Sequence, residues 1–112
     1  MRRTKREFVR VCMISDVPEE SAISVVLDDL PIAIVRSKDR FYAIEDVCSH
    51  ENVALSEGEV EDGTIECWLH GSRFDLTTGR AIGPPATRPV PVYPVKVEGD
   101  DIYVAIPRRV RT

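Results

Sequence analysis

No stretch of this sequence approaches the eighteen or so consecutive apolar residues that a membrane-spanning helix needs, so a helical membrane protein is not expected. The chain opens Met1-Arg2-Arg3, as an export signal with paired arginines would. Thr4-Lys5-Arg6-Glu7 then stands where an apolar region should be, and the nearby uncharged run from Val11 to Ser15 is too short to supply one. Cysteine is scarce: Cys12, Cys48 and Cys67 are too few for a disulfide framework, which makes a reducing, cytoplasmic setting the expectation. Histidine is scarcer, with only His50 and His70. No segment sustains a helical period of apolar residues and there is no internal repeat, so neither a helix bundle nor a solenoid is expected.

At 112 residues the chain is long enough for one modest core but short of two, and it reads as a single domain over 1–112. The net charge of −4 is unevenly spread. Residues 1–10 hold five basic residues against Glu7, giving +4, and Arg108, Arg109 and Arg111 give +3 at the other end. Between them, residues 11–107 have seven basic and eighteen acidic residues, leaving the body at −11. The basic tails read as solvated ends rather than as a nucleic-acid contact.

Short β-branched and aromatic runs closed by polar turns recur along the chain. Glu7–Ile14 reads as a first strand with Cys12 as a small buried core residue, and Val17–Ser21 as a connector with room for one helical turn. Ile23–Leu27, Ile32–Val35 and Phe41–Ile44 follow as an antiparallel meander. Asp62-Gly63 is a two-residue hairpin signal between a short segment at Val60 and Thr64-Ile65-Glu66. The stretch Gly83 to Pro91 carries Pro84, Pro85, Pro89 and Pro91, whose fixed φ and missing N–H predict a stiff loop. Val92–Val97, a turn at Glu98-Gly99-Asp100 and Ile102–Ile106 predict a closing hairpin. The fold class is all-β, built from small antiparallel sheets.

The chemistry concentrates in CSHENVALSEGEVEDGTIECWLH, from Cys48 to His70. Cys48-Ser49-His50 and Cys67-Trp68-Leu69-His70 are two ligand pairs, each with one thiolate and one imidazole, and sixteen residues lie between His50 and Cys67. Two thiolates and two imidazoles suit zinc or an iron–sulfur cluster. In common zinc sites a short arm tends to carry one ligand type, whereas here each arm carries one of each. Two such arms converging from opposite sides suit an asymmetric [2Fe-2S] cluster, with the cysteines on one iron and the histidines on the other.

The C-x-H and C-x-x-H pairs at this separation resemble the signature of Rieske proteins, and Gly71-Ser72, Phe74-Asp75, Thr77-Thr78-Gly79 and Gly83-Pro84-Pro85 extend the resemblance across nearly the whole chain. It implies a Rieske fold with a cluster-binding hairpin-loop subdomain over about residues 46–88 and one [2Fe-2S] cluster held by Cys48, His50, Cys67 and His70. It also implies supporting roles for Ser72, for Trp68 within the second arm, and for Pro84 and Pro85 as a screen against water. Respiratory members of the family carry a disulfide between the cluster loops, but the matching positions here are Val53 and Leu69. Oxygenase catalytic subunits need a second, mononuclear iron site, for which this chain has neither the length nor a spare histidine. The resemblance therefore implies an electron carrier rather than an enzyme. It is similar to the ferredoxin component of ring-hydroxylating dioxygenases, with a ferredoxin reductase and a terminal oxygenase as partners and no nucleic acid, membrane or small-molecule substrate of its own. The alternatives are a small redox subunit of another cytosolic system, such as nitrite reductase, or a zinc-bound interaction module. In high-potential relatives a serine and a tyrosine beyond the second arm donate hydrogen bonds to the cluster. Ser72 matches the serine, but Phe74 stands at the tyrosine, which implies a potential near the low end of the range of about −150 to +300 mV.

Overall fold

The computed structural model describes residues 7–49, 52–69, 71–83 and 88–106. Among the described residues eleven strands form three antiparallel sheets. The meander is β2 (Ser21–Leu27), β3 (Leu30–Ser37) and β4 (Arg40–Glu45), preceded by β1 (Glu7–Met13). Its two turns, Asp28-Asp29 and Lys38-Asp39, have positive φ at both central residues, the geometry that matches the right-handed twist of the flanking strands. The register runs Leu27↔Leu30 across the first turn and Ser37↔Arg40 across the second.

The centre of the molecule is β3. Ile32, Ala33, Ile34 and Val35 are all fully buried, because the strand is covered on both faces. Side chains alternate along it with period two, so Ile32 and Ile34 pack with Cys12, Val17, Ala43, Ile102 and Val104. Ala33 and Val35 point the other way, into a cluster with Ile44, Cys48, Leu55, Ile65, Cys67 and Phe74. The meander is thus a middle layer, with a structural core on one side and the two arm cysteines on the other.

The first of these faces is closed by β1, β11 (Asp101–Ile106) and β10 (Val95–Glu98), in the order β1-β11-β10. The pairing of the first strand with the last slips by one residue between Arg10 and Cys12, a bulge. The other face is covered by β5 (Glu59–Glu61), β6 (Thr64–Glu66), β7 (Arg73–Asp75) and β8 (Ala81–Ile82) in sequential order. At the expected hairpin, Asp62 and Gly63 have φ of 51° and 75°, and the Gly63 N–H donates to the buried Ser37 hydroxyl at 3.0 Å, tying this sheet to the end of β3. The whole excursion leaves and rejoins the meander at one point. Ala43 and Ile44 of β4 pair with Tyr93 and Val92 of β9 (Val92–Tyr93), and the Glu45 N–H donates to the Pro91 carbonyl at 3.0 Å.

Two expectations are corrected. The helical turn falls at Ile14–Asp16 rather than within Val17–Ser21, because the Asp16 carboxylate accepts from the Met13 N–H at 2.9 Å and ends β1 there. The run Val92–Val97 is not one strand. Pro94, which cannot donate to a ladder, divides it, so that β9 joins the meander and β10 joins β11. Among the described residues no helix is long and apolar enough to cross a membrane.

Candidate metal centre

Each arm is a turn opened by its cysteine. In the first, the Cys48 N–H donates to the Val53 carbonyl at 2.9 Å. In the second, the Cys67 N–H donates to the Ser72 carbonyl at 2.6 Å and the Cys67 carbonyl accepts from the Gly71 N–H at 2.9 Å. Cys48 and Cys67 are 3% and 1% exposed and belong to one buried cluster, so the fold brings the two expected thiol ligands to the same apolar pocket of the core. His50 and His70, the expected imidazole ligands, and Pro84 and Pro85 lie outside the described residues.

Ser72 is buried, and the ladder explains where it points. Ile65 pairs with Phe74, and the hydrogen bond from Cys67 to Ser72 continues that register, so Cys67, Ser72, Ile65 and Phe74 share the inward face. A hydroxyl and a thiol on directly opposite positions stand within about 4.5 to 5.5 Å at Cβ. Phe74 is fully buried on this face and brings no hydroxyl. Trp68 and Leu69 face the other way out of the turn and are 52% and 40% exposed.

The entrance to the first arm is held by a residue outside the two ligand pairs. Asp46 is only 3% exposed, and its carboxylate accepts from the Ser56 N–H at 2.6 Å and from the Ser56 hydroxyl at 2.7 Å. Its own N–H donates to the Pro31 carbonyl at 2.9 Å. The loop bearing Cys48 is therefore clamped at its base, Asp46 to Ser56, across the short helical turn Leu55–Glu57. The Ser49 hydroxyl donates to the Arg88 carbonyl, fastening the same loop to the chain beyond the prolines. Asp46 follows Glu45 at the approach to a ligand arm and is not marked out from it in the sequence, and its partner ten residues away has no fixed spacing.

Cys12 behaves as expected of a core residue. It lies in the opposite cluster from Cys48 and Cys67, and burial pushes its thiol pKa up, with Asp16 adding to the shift and Arg10 offsetting part of it. A raised pKa leaves little thiolate for chemistry at neutral pH.

What the pocket can hold follows from its donors. Two buried cysteines in an apolar, water-excluding cluster are suited to a soft metal bound as thiolates, since an unpaired thiolate would be costly there. Comparison with known proteins agrees. The model of the Rieske [2Fe-2S] domain family matches residues 7–94. The 3-phenylpropionate/cinnamic acid dioxygenase ferredoxin subunit of Escherichia coli (strain K12) is 46% identical over 101 residues, covering 88% of this chain and 93% of that one. Among solved structures, the ferredoxin of carbazole 1,9a-dioxygenase from Nocardioides aromaticivorans IC177 superposes with a TM-score of 0.82 at 34% identity, covering 87% of this chain and 95% of that one. A chain of the complex of reduced oxygenase and oxidised ferredoxin in carbazole 1,9a-dioxygenase gives 0.83 at 35% identity, covering 93% and 97%.

Proposed function

Because the chain belongs to the Rieske [2Fe-2S] domain family, we propose that it is a cytoplasmic one-electron carrier, a ferredoxin that accepts electrons from a reductase and delivers them to the terminal oxygenase of an aromatic-ring dioxygenase. One domain, residues 1–112, holds a single cluster through Cys48, His50, Cys67 and His70. The observation that carries this reading is the meeting of Cys48 and Cys67, from two separate arms, in one buried apolar cluster. A cluster with such ligands takes up and returns one electron without binding a substrate. In this reading the chain itself is not an oxygenase, since the cluster would take both of its histidines. The relatives at 46% and 34% identity bear dioxygenase-ferredoxin names, which favours this assignment over a nitrite reductase subunit. A zinc-bound module has no support among them.

In this reading the core side chains Leu55, Ile65, Phe74 and Val90 keep water from the cysteines, a role that the family resemblance extends to Pro84 and Pro85. Ser72, buried opposite Cys67, donates a hydrogen bond toward the ligand sulfur region and so favours the more negative, reduced state. If that bond is worth about 1 kcal/mol, Ser72→Ala lowers the potential by roughly 40 mV for one electron. Phe74→Tyr, which adds a donor on the same face, raises it. Potentiometry on the three proteins checks both directions. A wild-type value above about +200 mV would contradict the low-potential assignment.

The body charge of −11 is suited to attract a basic partner face. The second-order rate constant for reduction by the reductase is expected to fall about tenfold as ionic strength rises from about 0.01 to 0.1 M, where the Debye length shrinks from about 30 to 10 Å. Stopped-flow kinetics at several salt concentrations test this, and a rate indifferent to salt would contradict electrostatic steering.

A further inference from the structure

The hairpin of β5 and β6 sets Glu59 directly opposite Glu66. Like charges so placed repel. Arg73, 3.2 Å from Glu66 and 3.8 Å from Glu61, relieves part of that repulsion, but among the described residues neither Glu57 nor Glu59 has an ion-pair partner. Both line a cleft of about 390 Å³ whose remaining walls are Gly58, Glu66 and Trp68. The cleft is built rather than incidental. A Cβ on Gly58 would stand 1.6 Å from the Glu66 carbonyl oxygen, so only glycine lets the spacer lie against β6 and draw Glu57 and Glu59 up to the indole. Trp68, half exposed, is the residue after Cys67.

An exposed indole with carboxylates beside it has the chemistry that a guanidinium prefers, because the planar cation stacks on the ring while its N–H fork reaches the oxygens. We propose that this cleft seats an arginine side chain of the terminal oxygenase when the reduced carrier docks. The inference rests on the carrier reading above. The acceptor, rather than the reductase, follows from charge: the reduced carrier has one more negative charge than the oxidised form, at the end of the molecule where Trp68 lies. An arginine is therefore held more tightly by the form about to give up its electron, and less by the form that must leave.

Linkage makes this measurable without the partner, since a cation that binds the reduced form better must raise the reduction potential. The probe is N-acetyl-arginine amide, with the neutral N-acetyl-citrulline amide as its match in shape and sodium chloride holding ionic strength constant. A threefold preference for the reduced protein raises the potential by about 28 mV at saturation. The shift is expected to vanish in Glu57→Gln/Glu59→Gln and to fall by half or more in Trp68→Leu. It should persist in Asp28→Asn/Asp29→Asn, which removes the same charge from the turn between β2 and β3, neither residue of which lines the cleft. The indole N–H resonance of Trp68, the sole tryptophan, should move with the arginine probe and not with citrulline. With the full system, Glu57→Gln/Glu59→Gln should slow delivery to the oxygenase more than reduction by the reductase. An undiminished shift in the double glutamine variant, an equal shift with citrulline, or a kinetic loss confined to the reductase step would overturn the proposal. Absence of any reversible one-electron wave in the unaltered protein would instead overturn the carrier reading beneath it.

Discussion

Replacing Cys48 or Cys67 with serine is expected to abolish cluster assembly, giving colourless protein with less than a tenth of the wild-type iron, whereas Cys12→Ser should retain the full complement. The three thiols differ in where the fold puts them. Cys48 and Cys67 are buried together between the meander and the sheet of β5 to β8, and each opens the turn that carries a histidine in sequence. Cys12 is buried on the far side of β3, among Ile32, Ile34 and Val104. Serine there places a hydroxyl in an apolar cluster and is expected to cost about 1 to 3 kcal/mol, lowering the melting temperature without touching the metal content. Iron analysis beside thermal denaturation separates the two effects. Iron loss in Cys12→Ser, or iron retention in either of the others, would contradict the ligand assignment.

Asp46→Ala is expected to be the most damaging change outside the ligands. It removes an acceptor from two partly buried donors, the Ser56 N–H and hydroxyl, at 2.6 and 2.7 Å. Hydrogen bonds to a charged group are worth about 1.5 to 3 kcal/mol each, and the orphaned N–H would remain in a site that is 3% exposed at Asp46. A loss of about 3 kcal/mol follows, which corresponds to a urea midpoint lower by roughly 1 to 3 M. The loop that bears Cys48 would be released at its base, so iron should also dissociate faster. Asp46→Asn keeps one acceptor oxygen and should lose about half as much. Ser56→Ala deletes only the hydroxyl bond and should lose least. Urea titrations of the three variants check the order, and an Asp46→Ala midpoint equal to wild type would remove Asp46 from the account.

The meander and the hairpin at Asp62-Gly63 were legible because they rest on local signals, alternation and turn chemistry. Even there, the continuous run Ile32–Val35 could say that β3 was buried but not that its odd and even side chains serve different cores. The division at Pro94 was visible in principle, since proline cannot sit mid-ladder, yet the apolar alternation of Tyr93, Val95 and Val97 ran across it and outweighed it. The pairing of β1 with β11 depends on chain closure over nearly the whole length and leaves no local trace. At the candidate centre, Cys48 and Cys67 were legible because ligand pairs have fixed spacing. Asp46 with Ser56, and Trp68 with Glu57 and Glu59, were not, because a clamp and a cleft are made by where strands return. A part for His50 and His70 in the centre is proposed from the sequence pattern and the family.

The measurement that tests the central claim most directly is the metal and acid-labile sulfide content of the purified protein, read together with the electron paramagnetic resonance of its reduced form. The account predicts about two irons and two sulfides per chain and a resonance of low average g, as expected when nitrogen and sulfur ligands divide between two irons. Zinc at about one per chain, with no sulfide and no such resonance, would contradict it.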